Sequence, residues 1–347
     1  MPSEKTKTMS LAAIDGPLHN KGHLMWTATD FSPGDFAIAR GRRPSQTGRM
    51  TVQKLTELIE AGYGQGHFHR YRPWLAVTKR DYSPISNMGH LPAPELGRMH
   101  HYRAMAERGT ILLAKWLGAV DAREGYPVWP WSHSHPGVGL PNFPCSRLDG
   151  LVAIADEARI KHGFFPGTSL PFVATLDILT TWIVPSGEHR LVALENKPWE
   201  IVNSPQITSR AKERLELTRR YCQRAEIGSI IVHAEKFPAS LVVNLDHLVP
   251  NFTMPRQEIL RSSAVYGDLV ECLSAEGYVQ PIAAIVKKLS IDLAEAEQFL
   301  WQLVRLAIWH QDVDHDITVP YNTWCPLVPG GRKFRSKVRA EWTGGII

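Results

Sequence analysis

Two apolar segments joined by a turn limit the folds open to this chain more than anything else in its sequence. Residues 172–184 are rich in Val, Ile, Leu, Thr and Trp, and residues 190–197 form a second apolar run. Between them stands Pro185-Ser186-Gly187, a turn sequence. Apolar and β-branched runs on either side of a turn are typical of a β-hairpin. The sequence therefore predicts two paired strands.

Charged residues interrupt both predicted strands. Asp177 lies inside the first strand, and the second ends in Leu194-Glu195-Asn196-Lys197. Side chains alternate between the two faces of a strand, so Glu195 and Lys197 project to one side and Asn196 to the other. The hairpin can bring Asp177 opposite that pair. Because unpaired charges on an apolar strand are costly, these groups need a polar pocket, a metal ion or one another.

Carboxylates and an amine in this pattern suit the hydrolysis of a phosphodiester. Mg²⁺ prefers oxygen ligands and keeps several waters, so two or three carboxylates can hold one or two ions against a scissile phosphate. The lysine can stabilise the charge of the pentavalent phosphorane or help to generate hydroxide. A Glu-x-Lys pair is also typical of an exposed, salt-bridged strand edge, so the pattern alone leaves both interpretations open.

The sequence around the hairpin predicts an α/β fold. A helix over 207–224, a buried strand at 228–233 and a helix over 238–248 are expected after it. That order indicates a core with a mixed sheet. Upstream, residues 96–116 predict one helix that carries Glu107 away from its ends.

Shifts in composition predict four regions. Residues 1–50 mix Gly, Pro and Ser with several arginines and show no periodicity, which predicts an irregular basic arm. Residues 51–252 hold the predicted catalytic domain. Residues 255–325 predict three helices and a terminal hairpin, the outline of a winged helix. Residues 326–347 predict a flexible basic tail.

Composition excludes several classes of protein. The net charge of +5 favours an anionic partner but is too small to identify nucleic acid. The four cysteines lie far apart, which argues against a zinc ribbon and against a disulfide framework. No stretch approaches the roughly 20 apolar residues of a membrane helix, so a cytoplasmic protein without a membrane partner is expected. His133-Ser134-His135 is expected in an exposed loop, since no carboxylate or Cys stands nearby at ligand spacing.

Several spaced motifs occur in a fixed order between Gly62 and Phe252. They are Gly64-Gln65-Gly66-His67, Tyr71-Arg72-Pro73-Trp74-Leu75, His100-His101 before Glu107, Asp121-Ala122-Arg123-Glu124, Thr175-Leu176-Asp177, Glu195-Asn196-Lys197-Pro198, and Leu215-Glu216-Leu217 with Arg219-Arg220-Tyr221. In these motifs the chain resembles the TnsA endonuclease family, one half of the heteromeric transposases of cut-and-paste transposons. An Asp followed by Glu-x-Lys on a neighbouring strand is shared by restriction-endonuclease-like nucleases. The resemblance therefore implies a restriction-endonuclease-like core.

The resemblance also implies an activity and its residues. Members of the family cut the 5′ ends of the mobile element, while a TnsB-type transposase cuts and joins the 3′ ends and a TnsC-type AAA+ regulator docks onto the C-terminal region. Glu107, Asp177 and Lys197 match the family's catalytic positions, and Glu195 stands where some relatives have an amide. The implied metal ligands are Glu107, Asp177, Glu195 and the Asn196 carbonyl. The implied cofactor is Mg²⁺, for which Mn²⁺ can substitute. Without the resemblance, Glu107 would be interpreted as an ordinary solvent-facing carboxylate.

Six residues are candidates for contacting transposon-end DNA. A nuclease must neutralise phosphates, and a basic helix beside the catalytic strands would do so, although a solvated basic face is the alternative. Three further candidates, which lie in the first two motifs, contact the DNA backbone, support the site or have a purely structural role. The candidates are Arg210, Arg214 and Arg220 on the helix, and Gln65, His67 and Arg72 in the first two motifs.

Two other functions remain open from the sequence. One is a stand-alone restriction or repair nuclease of the same fold, which would cut arbitrary duplex DNA without partners. The other is a non-catalytic DNA-binding scaffold, in which the carboxylates only support the sheet. Substitution of Asp177 or Lys197 separates the scaffold from the nucleases, because a scaffold tolerates either change.

Overall fold

The computed structural model describes residues 49–78, 87–143, 146–203, 209–276, 285, 287, 293–320 and 327–344. These residues form two compact units, one of residues up to 237 together with 335–344, and one of residues 238–334. Nearly all of the predicted basic arm at 1–50 lies outside the described residues. Among the residues that are described, no helix has the length and apolar character needed to cross a bilayer.

A mixed four-stranded sheet is the centre of the first unit. Its strands, in spatial order, are β3 (Asp121–Val128), β6 (Ala174–Ile183), β7 (His189–Asn196) and β8 (Gly228–Val232). Strand β6 runs antiparallel to both β3 and β7, whereas β8 is parallel to β7. The predicted hairpin is therefore confirmed as β6 and β7, and so is the α/β class. Residues 178–182 of β6 are all buried, which explains the continuous apolar run, since a strand covered on both faces loses the alternation of polar residues.

Helices and short strand pairs surround this sheet. They are α1 (Val52–Glu60), β1 (Gly89–Ala93), β2 (Arg98–Tyr102), α2 (Met105–Leu117), β4 (His133–Ser134), β5 (Arg147–Leu148), α3 (Leu151–Glu157), α4 (Trp199–Asn203) and α5 (Ser209–Arg224). The buried core joins Leu176 and Ala193 of the sheet to Ile154 of α3 and Tyr221 of α5. Packing against this core explains why α5 forms within the range predicted to be helical, because a helix of this length is stabilised mainly by burial of its apolar face.

The single helix predicted over 96–116 is wrong. Residues Arg98–Tyr102 form β2, which pairs antiparallel with β1, and the helix begins only at Met105. On β2 the inward-facing residues are Arg98 and His100, both buried. Because polar side chains occupy the buried positions, the strand lacks the apolar alternation that identifies a half-buried strand.

The expected exposed loop around His133-Ser134-His135 is also wrong, because both histidines are 8% exposed. The Nε2 atom of His133 lies 3.0 Å from the hydroxyl of Tyr221, and that of His135 lies 2.7 Å from the carbonyl of Ala225. The two rings therefore attach this segment to α5 and to the residue that follows it, as structural groups.

The second unit is helical. It contains α6 (Ala239–Leu248), α7 (Met254–Arg261), α8 (Ala264–Glu276) and α9 (Leu293–Trp309). Of the two apolar segments from which the terminal hairpin was predicted, Ile308 lies in α9 and residues 317–319 lie in a turn. No strand occurs in the described residues 238–276, 293–320 and 327–334, so the terminal hairpin of a winged helix is not found there.

A helix also occupies the C-terminal region, where a flexible tail was predicted. Helix α10 (Gly331–Thr343) begins beside Asp314, whose carboxylate accepts hydrogen bonds from the backbone N–H groups of Gly330 and Arg332. A carboxylate at a helix N-terminus satisfies free N–H groups and favours the helix dipole. Near the other end of the helix Trp342 is buried. These two features order a segment that looks merely basic in the sequence.

Candidate active site

Three charged side chains converge at the end of the hairpin. The Lys197 Nζ atom lies 2.7 Å from Oδ2 of Asp177 and 3.2 Å from Oε2 of Glu195. It also donates to the backbone carbonyl of Asn196 over 3.1 Å. The residues that the alternation along the strands placed on one face are thus joined in one ion cluster.

The strand register explains this convergence. The last paired residues of β6 and β7 are Ile178 and Leu194, so Asp177 and Glu195 are the next cross-strand neighbours. The Asp177 carboxylate accepts a hydrogen bond from the backbone N–H of Asn196 at 2.8 Å. On the other side, the N–H of Lys197 donates to the carbonyl of Val232 over 3.1 Å. The backbone around the cluster is therefore held from both neighbouring strands.

Burial and charge shift the pKa values of the cluster. Glu195 is 5% exposed. Burial raises its pKa, the charge of Asp177 raises it further, and Lys197 opposes both effects. Burial lowers the pKa of Lys197, but Asp177 and Glu195 outweigh it, so the net shift is upward. Lys197 is accordingly held as an ammonium ion at neutral pH.

Glu107 stands in the first turn of α2, so its predicted position away from the helix ends is wrong. Its Oε2 atom accepts a hydrogen bond of 2.7 Å from the backbone N–H of Arg103, just before the helix. Burial raises the pKa of Glu107 from 4.5 to about 7; the Arg103 hydrogen bond opposes this rise and the charge of Asp177 adds to it. The charges of the ion cluster therefore act on the pKa of Glu107. Within the described residues, however, no hydrogen bond joins Glu107 to Asp177, Glu195 or Lys197.

A threonine links the helix of Glu107 to the hairpin. Thr110 is fully buried on α2, and its hydroxyl donates to Oδ1 of Asn196 over 2.6 Å. The side chain of Asn196 thus faces away from the ion cluster, as the strand alternation predicted, and anchors the end of β7 to α2. Sequence reasoning missed Thr110. The available signal was a hydroxyl one helical turn after Glu107, directly before the apolar run that starts at Ile111.

The oxygens around Lys197 are chemically suited to a hard divalent cation. Two carboxylates and a backbone carbonyl are the donors that Mg²⁺ prefers. The described residues nevertheless contain no group of three or more His, Cys, Asp or Glu side chains arranged to hold a metal ion. The ammonium of Lys197 lies among these oxygens instead, so the donor chemistry fits a cation while the present geometry is that of an ion pair.

Several motifs form a second, buried polar network. The Glu124 carboxylate accepts hydrogen bonds from Arg98 at 2.9 and 3.0 Å, and lies 3.0 Å from Nδ1 of His100. The pKa of Glu124 falls to about 2; burial alone would raise it, but Arg98 and His100 outweigh burial. Asp121 accepts from the N–H of Phe68 at 2.7 Å. This network joins the turn that begins at Phe68 to β2 and β3, and it gives the motifs around Asp121 and Glu124 a structural role.

Three of the DNA-contact candidates are hydrogen-bonded to backbone carbonyls. Gln65 donates to Ile59 over 2.7 Å and Arg72 to Ala61 over 2.6 Å, both at the end of α1. Nε2 of His67 lies 2.8 Å from the carbonyl of Val138. Burial lowers the pKa of His67 to about 4, and a nearby arginine lowers it further, so the ring is neutral at pH 7. These contacts support the structural interpretation.

The arginines of α5 differ in how far they are neutralised. Arg210 pairs with Glu213 at 3.0 Å, and Arg220 pairs with Glu216 at 2.7 Å. Arg214 is exposed, and no ion pair joins it to the described residues. Of the three predicted DNA contacts on this helix, Arg214 therefore has the charge most available to a phosphate.

Comparison with known proteins shows a similarity to a transposition protein. No family model matches the chain. Over 197 residues the chain is 28% identical to the transposon Tn7 transposition protein TnsA of Escherichia coli. The match covers 56% of this chain and 62% of that protein, so the chain spans less than two thirds of the relative's length. The similarity supports a TnsA-like protein, in agreement with the resemblance seen in the motifs.

Proposed function

We propose that this protein is a transposition endonuclease that hydrolyses DNA at the ends of a mobile element. The observation that carries the proposal is the convergence of Asp177, Glu195 and Lys197 within 2.7–3.2 Å at the end of one hairpin. The similarity to a protein named for its part in transposition supports the biological context. A shift of the Glu107 pKa to about 7 supports a functional centre nearby, since perturbed carboxyl groups cluster at such centres.

In this proposal the residues divide between holding a cation and binding the phosphate. Asp177, Glu195 and the Asn196 carbonyl would hold Mg²⁺ or Mn²⁺, with Glu107 contributing from α2. When bound, the metal supplies charge stabilisation at the phosphate and lowers the pKa of a water. Lys197 would pair with a phosphate oxygen. The Thr110 hydrogen bond to Asn196 keeps α2 against the end of β7, which fixes the position of Glu107 relative to the cluster.

The finer parts of the proposal rest on the family resemblance. The sheet of β3, β6, β7 and β8 would be a restriction-endonuclease-like core, with its reacting groups on the central hairpin. The protein would cut the 5′ ends, the non-transferred strands, while a TnsB-type transposase acts on the 3′ ends. The helical second unit would dock onto a TnsC-type regulator.

A reconstituted transposition reaction tests this function. We expect the parent protein to give simple insertions, and Asp177→Asn to give cointegrates, because 3′ joining continues when the 5′ strands stay uncut. Glu188→Gln is a matched control, since Glu188 is exposed in the turn of the same hairpin. Long-read sequencing of the products gives the ratio of the two outcomes, and thermal melting checks that each variant is folded.

Two results would overturn the proposal. Unchanged simple insertions with Asp177→Asn would indicate a non-catalytic scaffold. Efficient cutting of arbitrary duplex DNA by the protein alone would indicate a stand-alone restriction or repair nuclease, because a transposition enzyme should need its partners before it cuts.

A further inference from the structure

The ammonium of Lys197 contacts three oxygens of the proposed metal ligand set. Its Nζ atom lies 2.7 Å from Asp177 Oδ2, 3.2 Å from Glu195 Oε2 and 3.1 Å from the Asn196 carbonyl. A lysine ammonium has three donors, so these contacts use all of them. The side chain therefore fills the cation position with its own charge.

A divalent cation and this ammonium compete for the same oxygens. Mg²⁺ binds oxygen at about 2.0–2.1 Å and demands near-octahedral geometry, so it could not share the position with Nζ. Repulsion between the two cations would also be strong in a site where Glu195 is 5% exposed. Entry of the metal therefore requires that the lysine leave.

The side chain of Lys197 has a route out of the cluster. The side chain of Lys197 is 31% exposed, compared with 6% for the side chain of Glu195. Lys197 therefore borders solvent, while the carboxylate of Glu195 is covered. A DNA phosphate arriving from the solvent side would offer a negative charge and oxygen acceptors to the ammonium.

We propose that Lys197 occupies the metal position until DNA binds, so that a phosphate of the DNA, by drawing the lysine away, opens the site to a divalent cation. This inference rests on the proposed function. DNA binding and metal binding then favour each other. Bound DNA draws Lys197 away and frees the oxygens for the metal, and a bound metal displaces Lys197, so that its ammonium is available to a phosphate. Lys197 also places a positive charge beside both carboxylates in the free protein.

Calorimetric titration of Ca²⁺ into the full chain, alone and with a short duplex DNA, tests the inference. For the parent chain we expect Ca²⁺ affinity to rise about tenfold or more when DNA is present, within the usual range of coupling between two sites. Lys197→Met keeps the length of the side chain and removes its charge. That variant should bind Ca²⁺ about tenfold more tightly than the parent in the absence of DNA, and DNA should raise its Ca²⁺ affinity by less than it raises that of the parent, because only the direct effect of the phosphate on the cation remains.

Controls separate this effect from a general change of charge. Lys236→Met removes an exposed ammonium that lies over the ring of Trp199, 5.0 Å from its centroid, and should leave Ca²⁺ binding unchanged. Asp177→Asn should abolish Ca²⁺ binding in both states. Lys197→Gln serves as a second variant, in case the methionine chain unfolds.

The inference is overturned if Lys197→Met and Lys197→Gln bind Ca²⁺ no more tightly than the parent, or if DNA raises their Ca²⁺ affinity as much as it raises that of the parent. It is also overturned if the free parent chain binds Ca²⁺ as tightly as the DNA complex. Failure of this inference is distinguishable from failure of the proposed function, because the two are tested by independent measurements. The titration measures Ca²⁺ affinity and needs no strand cleavage, whereas the transposition assay measures insertion products and needs no value of Ca²⁺ affinity.

Discussion

Replacing Glu124 by Gln should destabilise the first unit substantially. The carboxylate is 1% exposed and accepts hydrogen bonds from Arg98, His100 and the N–H of His101. The fall of its pKa from 4.5 to about 2 corresponds to about 3 kcal/mol of stability at neutral pH. Breaking a buried ion pair on one side costs about 3–5 kcal/mol. We therefore expect Glu124→Gln to lower the free energy of unfolding by about 3 kcal/mol.

Urea denaturation followed by far-UV circular dichroism measures this loss. The exposed Glu188→Gln variant is the control and should stay within about 0.5 kcal/mol of the parent. Because the pKa of Glu124 is lowered in the folded state, its contribution is present above pH 4.5 and is lost as the pH falls towards 2. The difference between parent and Glu124→Gln should therefore shrink as the pH is lowered. A loss below about 1 kcal/mol at pH 7, or a difference that does not change with pH, would refute the reasoning.

Three further predictions concern the active site and α5. Because the pKa of Glu107 is raised in the folded state, its contribution to stability is present below pH 4.5 and is lost as the pH rises through about 7. The melting temperature of the parent should therefore fall more steeply with rising pH than that of Glu107→Gln, and parallel profiles of melting temperature against pH would contradict this. Thr110→Val leaves the amide oxygen of Asn196 without its donor and should cost about 1–3 kcal/mol in urea denaturation, whereas Thr110→Ser should restore most of it. Glu216→Gln releases two arginines that now pair with it, so DNA affinity measured by fluorescence anisotropy should rise and depend more steeply on salt; unchanged affinity would show that this face does not contact DNA.

The hairpin was predictable because its determinants are local. The apolar residues of β6 and β7 flank a turn sequence, and the alternation of side chains alone placed Glu195 and Lys197 on one face. The register then made Asp177 their cross-strand neighbour. Three of the four proposed catalytic residues are thus brought together as expected, while the position of Glu107 depends on α2, whose start was predicted wrongly.

The missed elements depend on contacts between distant residues. Strands β2 and β3 bury Arg98, Arg123 and Glu124, which no local pattern identifies as inward-facing. Arg98 and Glu124 are tolerated because they form an ion pair between two strands, whereas Arg123 donates to the carbonyl of Pro136 and lies over the ring of Tyr126. Helix α10 was missed for a similar reason, since the carboxylate at its N-terminus comes from Asp314. Pairing of this kind is invisible until the chain is folded.

The ion cluster at the hairpin has a consequence for how the chain is made. Asp177 and Lys197 are only 20 residues apart, and closing a short loop costs less chain entropy than closing a long one. Once a nascent chain has left the ribosome as far as Lys197, that ammonium is available as a counter-ion to both acids before β8, which pairs with β7, has been synthesised.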